Sequence, residues 1–258
     1  MQAAYCPGVE TLRYGTHPDQ VVDLSFPDIT TAARPPLVVL LHGGFWRVAY
    51  DRTHLRVVAD ALTAEGLAVA NVEYRRVGGG GGWPSTFTDV ADAVDAVLAA
   101  LVDRVDAESV AVVGHSAGGH LALWAALRDR LRAGAPGHTD RAPLIRGVVA
   151  LAPAADLAVV DRLGLSGGAV RELLGGSPAT VPERFAAADP AVLGAPSAAT
   201  VVVHGLADDI VPIEVSRSYC YRTGAALLEV PGTGHFELVD PASTAWPIVL
   251  TALRDVLG

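Results

Sequence analysis

Short apolar runs punctuate the chain: "VVDLSF" (21–26), "LVVLL" (37–41), "LAVANV" (67–72), "SVAVVG" (109–114), "GVVALA" (147–152), "ATVVVH" (199–204) and "ALLEV" (226–230). Their length and β-branched content predict strands. Runs this uniformly apolar suit strands covered on both faces, as in a parallel sheet flanked by helices. Between them the period changes. Over 88–105, Val90, Val94, Val97, Leu98, Leu101 and Val105 recur at helical spacing while Asp89, Asp92, Asp95 and Asp103 fall largely elsewhere, which predicts an amphipathic helix. A last helix is predicted near 242–257, opened by Asp240-Pro241 and carrying Trp246, Val249, Leu250, Leu253 and Val256. Pro247 requires that this helix either start later or kink.

Alternation of strand and helix across the chain predicts an open α/β sheet with helices on both faces. Strands near 9–14 and 21–26 are close enough to form an antiparallel hairpin at one edge. Between the runs at 147–152 and 199–204 lie more than 40 residues, longer than a simple crossover needs. The segment 154–196 is therefore expected to be a small helical flap over the carboxyl edge of the sheet. "VGGGGGWP" (77–84) is expected to be a flexible loop at the same edge. On this reading residues 1–258 form one α/β domain with one insertion.

Composition narrows the function. A chain of 258 residues, 51% apolar and 18% charged, is long enough for a sizeable core and argues against disorder. Its net charge of −9 and absence of any basic run leave no electrostatic footprint for nucleic acid or an anionic membrane, so a small-molecule substrate fits better. All 19 basic residues are Arg, which excludes lysine chemistry. Cys6 and Cys220 are too few for a disulfide framework or metal site, and unpaired thiols are expected. The opening segment lacks a basic stretch followed by an apolar one, and every apolar run falls short of about 18 residues. No membrane segment is expected, and the cytoplasm is the expected location. Oligomeric state stays open.

The chemistry centres on "AVVGHSAGGHLALWAA" (111–126), which sets Ser116 in G-x-S-x-G between a predicted strand and a predicted helix. Ser116 is either an attacking nucleophile or a small residue in a tight glycine turn. A serine hydroxyl needs a base to take its proton and a carboxylate to orient that base. Downstream, "HGLADDIVP" (204–212) and "PGTGHFELVDP" (231–241) each follow a predicted strand, where sites in open α/β sheets are built. They supply Asp208 as the acid, in competition with Asp209, and His235 as the base. "LHGGFW" (41–46) follows another strand. With the residue after the serine it offers an oxyanion hole from the backbone N–H groups of Gly44, Phe45 and Ala117.

In this order, "HGGFW", "GHSAGGHLA", "HGLADDIVP" and "GTGHFELVDP" resemble the α/β-hydrolase superfamily. The likeness is to its esterase, lipase and kynurenine-formamidase branch, which includes prolyl-oligopeptidase-like proteins. It runs from roughly residue 21 to the C-terminus. It implies an eight-stranded, mostly parallel sheet, the roles of Ser116, Asp208 and His235, and no cofactor. The acid-loop spacing H-G-x-x-D-x-x-V-P selects Asp208 over Asp209. Phe45 and Trp46 after "HGG" depart from the H-G-G-G of hormone-sensitive-lipase-like esterases and are closer to the HGG-aromatic-Trp of kynurenine formamidases. The implied activities are hydrolysis of small carboxylic esters through a Ser-His-Asp acyl-enzyme, or removal of a formyl group from an aromatic amide such as N-formylkynurenine. The non-enzymatic alternative is a ligand-binding protein on a hydrolase scaffold. Loss of a triad member would favour it, and none is missing.

Phe45, Trp46 and Trp83 are candidates to line a pocket for an aromatic or acyl group, with packing beneath loops the other reading of each; Phe45 has the best claim, from its position within the oxyanion motif. Arg47 could meet an acidic substrate, with a surface ion pair the simpler fate. Among the other histidines, His115 is expected to pack beside the nucleophile, His120 to serve the core, His42 to brace the oxyanion loop and His204 to start the acid loop. No H-E-x-x-H or other spaced ligand set is present, so no metal is expected.

Overall fold

The computed structural model describes residues 8–28 and 34–258; Cys6 lies outside them. Strands β1 (Glu10–Arg13), β2 (Val21–Ser25), β3 (Leu37–Leu41), β4 (Ala68–Val72), β5 (Val110–His115), β6 (Gly147–Leu151), β7 (Ala199–Gly205) and β8 (Ala226–Val230) form one sheet. Their order is β1-β2-β4-β3-β5-β6-β7-β8. The β1–β2 and β2–β4 pairs are antiparallel and the remaining pairs parallel, so the expected hairpin sits at one edge.

The apolar runs are explained by burial on both faces. Successive strand residues point to opposite sides. Leu37, Val39, Leu41, Val110 and Val112 join one core layer, while Val38, Leu40, Ala111 and Val113 join the other. Helices α1 (Arg56–Ala64), α2 (Ser85–Leu101) and α3 (Ala117–Ala125) follow β3, β4 and β5. α2 and α3 cover the first layer and α1 the second.

α2 ends at Leu101, short of the expected 105, although Val105 still reaches the core from the turn that follows. Asp89, assigned to the polar face by its spacing, is fully buried. It grips Arg75 through bonds of 2.8 and 2.6 Å and accepts one of 2.8 Å from Gln20. Residues 77–84 correct a second expectation. The glycines there are not slack: Gly78, Gly80 and Gly82 take positive φ of 89, 82 and 96°. The Gly79 and Gly81 amides donate to the Arg76 carbonyl, and the Trp83 amide donates to that of Leu173. Glycine is there for conformation, in tight turns that are pinned at both ends.

Between β6 and β7 the chain forms four short helices, α4 (Leu157–Leu163), α5 (Ala169–Leu174), α6 (Pro182–Ala188) and α7 (Pro190–Leu193). This is the expected flap, anchored through Leu157, Val160, Leu173, Leu174 and Phe185 in the first core layer. Helix α8 (Glu214–Thr223) precedes β8 and joins that layer through Val215, Tyr219 and buried Cys220. Helix α9 (Trp246–Leu257) completes the second layer. It starts later than the pattern suggested, with Pro247 in its first turn, where a missing N–H costs no helical bond.

Candidate active site

The chain leaves β3 toward β4 on one side and β5 toward β6 on the other, so the carboxyl ends of β3 and β5 flank a topological switch point, the usual crevice for a ligand. Ser116 stands there alone between β5 and α3, with φ 57° and ψ −118°. A non-glycine residue in this region is strained, and here the surroundings enforce it. The Ser116 amide donates to the Leu151 carbonyl at 2.8 Å, and its own carbonyl accepts from the His120 and Ala154 amides. The flanking glycines are steric necessities. A Cβ on Gly114 would lie 2.1 Å from the Gly118 carbonyl oxygen, and one on Gly118 would lie 2.1 and 2.4 Å from those of Leu41 and His42.

The turns after β7 and β8 bring the candidate acid and base together. Asp208 Oδ2 lies 2.6 Å from His235 Nδ1, and both side chains are almost fully buried. The Ile210 and Val211 amides donate to Asp208 Oδ1 at 2.9 and 2.8 Å. His204 Nε2 reaches Oδ2 at 3.3 Å. Burial alone would raise the Asp208 carboxyl, but the hydrogen bonds from His204, His235 and Val211 hold it well below the usual carboxylate range. Asp209, its competitor, is exposed. His115 Nε2 donates to the His235 carbonyl at 3.0 Å, and the two rings lie 4.5 Å apart. Burial first, and the neighbouring His235 second, push the His115 ring down to about 3, so it stays neutral and acts as a strut. Ser116 and His235 line one cavity of about 550 Å³. Among the described residues no hydrogen bond joins them directly.

The oxyanion loop follows β3. Gly44, Phe45 and Trp46 take positive φ of 107, 50 and 56°. Among the described residues, the amides of Gly44, Phe45 and Ala117 have no protein acceptor. His42 braces this loop as expected, through a polar network whose other members sequence alone did not single out. Glu73, just past β4 and almost fully buried, accepts from His42 Nε2 at 2.8 Å and from the Tyr74 and Arg52 amides at 3.0 Å each. Arg76 pairs with it at 3.2 Å. Burial opposes the Glu73 charge, yet these partners keep its carboxyl below the ordinary 4.5. The Tyr74 hydroxyl donates to the His42 carbonyl at 2.7 Å, and the His42 and Tyr74 rings stack at 4.3 Å. The signal was available as "EYRR", charges placed directly after an apolar strand. His120 is a core residue, donating to the Ala188 carbonyl at 2.8 Å, with burial pushing its ring down to about 4.

The three aromatic candidates separate. Phe45 lines the cavity with Ser116 and His235. Trp46 does not: its side chain is fully buried in the core, edge-on to His120 at 5.3 Å. The two rings still meet edge to face at 6.5 Å, with Phe45 at the cavity wall and Trp46 fully buried. Trp83 lines a different cavity of about 650 Å³, beside Arg130 and Leu193. Arg47 lies at the rim in a bidentate ion pair with Glu172, at 2.9 and 3.0 Å. Among the described residues no group of three or more His, Cys, Asp or Glu side chains is placed to hold a metal ion, and no helix is long and apolar enough to cross a membrane.

A sequence model of the BD-FAE family matches residues 22–221, most of the chain. The chain belongs to the BD-FAE family. The BD-FAE match includes Ser116 and Asp208 and stops short of His235. Esterase LipC of Mycobacterium tuberculosis (strain ATCC 25618 / H37Rv) is 29% identical over 245 residues, which are 90% of this chain. The chain spans about 60% of the length of that relative. Among solved structures, a truncated carbohydrate esterase from gut microbiota superimposes with a TM-score of 0.80 at 19% identity, covering 96% of this chain and 95% of the other. Esterase B from Lactobacillus rhamnosis (HN001) does so with 0.80 at 20% identity, covering 97% and 86%. Both share the α/β-hydrolase fold with this BD-FAE member.

Proposed function

We propose that the protein is a serine esterase that cleaves carboxylic esters of small substrates through an acyl-enzyme. The observation that carries the reading is the Asp208–His235 pair at 2.6 Å, turned into the cavity that also holds the strained Ser116. His235 takes the proton as Ser116 Oγ adds to the ester carbonyl, and Asp208 steadies the imidazolium. The negative charge on the carbonyl oxygen is met by the Gly44, Phe45 and Ala117 amides. Collapse of this adduct transfers the proton from His235 to the departing alcohol. Water, activated by His235, then adds to the acyl-enzyme and releases the acid and Ser116. LipC is named an esterase, and esterase B of L. rhamnosis is described as inhibited by a tributyrin phosphonate; both names agree with this chemistry.

The formamidase alternative leaned on Phe45 and Trp46. With Trp46 walled into the core, that motif no longer singles out a formamide. The test pairs a fluorophosphonate probe with p-nitrophenyl acetate and N-formylkynurenine. Wild type is expected to label at Ser116 and to hydrolyse the ester. Ser116→Ala is expected to do neither, with kcat down by at least ~10³-fold. Folded wild type that neither labels nor turns over would point to a binding protein instead. A far higher kcat/KM for N-formylkynurenine would replace the ester with the formamide.

A further inference from the structure

We propose that the mouth of this cavity receives an apolar chain or ring carried by the ester, so that neutral apolar esters are preferred over esters of hydroxyl-rich carbohydrates. This rests on the esterase reading above. Large apolar side chains rarely gather in the open without a partner. Of the thirteen such side chains exposed among the described residues, four line this one cavity: Tyr50 at 55%, Val57 at 53%, Ile210 at 37% and Phe236 at 62%. They arrive from three separate places. Tyr50 and Val57 belong to the segment running from the oxyanion loop into α1, Ile210 to the acid loop and Phe236 to the base loop. The apolar surface therefore surrounds the reacting groups and is not an accident of one loop. Phe45 and Val239 continue it inward.

The polar side chains of the same cavity are largely spoken for. Arg47 gives its fork to Glu172 and bonds Ser166 through both the hydroxyl, at 2.9 Å, and the carbonyl, at 2.7 Å. His54 Nδ1 lies 2.6 Å from the Asp51 carbonyl, and Asp240 Oδ1 accepts from the Ala242 amide at 2.9 Å. Besides Ser116 and His235, what remains is the Tyr50 hydroxyl, the second nitrogen of His54, the second oxygen of Asp240, the buried Nδ1 of His115 and the hydrogen of the Ser166 hydroxyl. A sugar ring needs several fixed donors and acceptors to replace the water it sheds, and this set is sparse. With Arg47 neutralised by Glu172, a carboxylate on the substrate gains little either.

A fully buried methylene is worth about 0.8 kcal/mol, or about fourfold in kcat/KM. One half-covered at an open mouth is worth about twofold, so four added methylenes give roughly 16-fold. The apolar group can sit on the acyl or the alcohol side, which two substrate series separate: p-nitrophenyl acetate to hexanoate, and ethyl to hexyl acetate. At least one series is expected to climb tenfold or more. Phe236→Ser is expected to cut that climb at least threefold. Val57→Asn, on α1 and away from the base loop, is expected to do the same without disturbing His235. Wild type that labels with fluorophosphonate but gives two flat series overturns the proposal alone. So does a higher kcat/KM for an acetylated methyl xyloside than for hexyl acetate. Wild type that fails to label overturns the esterase reading itself.

Discussion

Asp189 stands at the head of α7 with its side chain almost fully buried, accepting the Ala191 amide at 3.0 Å. Burial, reinforced by the nearby charge of Asp156, pushes its carboxyl from the ordinary 3.8 up to about 7. An acid that holds its proton more tightly in the folded chain stabilises the fold fully below pH 3.8, and this contribution is lost as the pH rises through about 7. At 1.36 kcal/mol per pH unit, the span from 3.8 to about 7 amounts to about 4 kcal/mol. About 3 kcal/mol of that falls between pH 5 and pH 8. Asp189→Asn keeps an oxygen for the Ala191 amide and removes the ionisation. Urea unfolding of both proteins at pH 5, 6, 7 and 8 should show the variant gaining on wild type by about 3 kcal/mol across the series. Parallel stability profiles would refute the argument, because they would mean that Asp189 is ionised in the folded protein at no cost.

Gly118→Ala would push a methyl into the Leu41 and His42 carbonyls. It should cost roughly 1–3 kcal/mol in thermal unfolding and, by displacing the oxyanion loop about 1 Å, about 10² in kcat. Unchanged kcat would show that the loop gives way without losing register. Glu73→Gln removes the buried charge that His42 and Arg76 face, and urea unfolding should register a loss of roughly 3–5 kcal/mol. A loss under about 1 kcal/mol would mean that the network is not what holds the loop.

The sheet was legible because burial on both faces leaves a plain mark, a run of Val, Leu and Ala such as 37–41 or 110–113. The proposed triad of Ser116, Asp208 and His235 could be picked out because strand ends in this fold deliver residues in a fixed chain order. Other features carry no such mark. Asp89 and Glu73 look like surface charges in a one-dimensional pattern, and only the approach of Arg75, His42 and Arg76 from distant segments makes their burial tolerable. The five glycines at 78–82 read as slack, although alternate residues in fact need positive φ. Of the neighbours Phe45 and Trp46, sequence favoured Phe45 for the pocket by its place in the candidate oxyanion motif, but it held no sign that Trp46 would be fully buried. Which of two adjacent aromatic rings is fully covered and which keeps a face on the cavity depends on the segments packed around the loop, and composition does not record them.

The groups proposed to react come from four strand ends, after β3, β5, β7 and β8, and span residues 44–235 of the chain. During synthesis the oxyanion loop and the serine elbow emerge first and the base emerges last. A nascent chain thus carries the proposed nucleophile without its proposed base until all eight strands have been made. On the proposed mechanism, activity requires the completed sheet, and a turnover assay would gauge how much of a preparation has reached it.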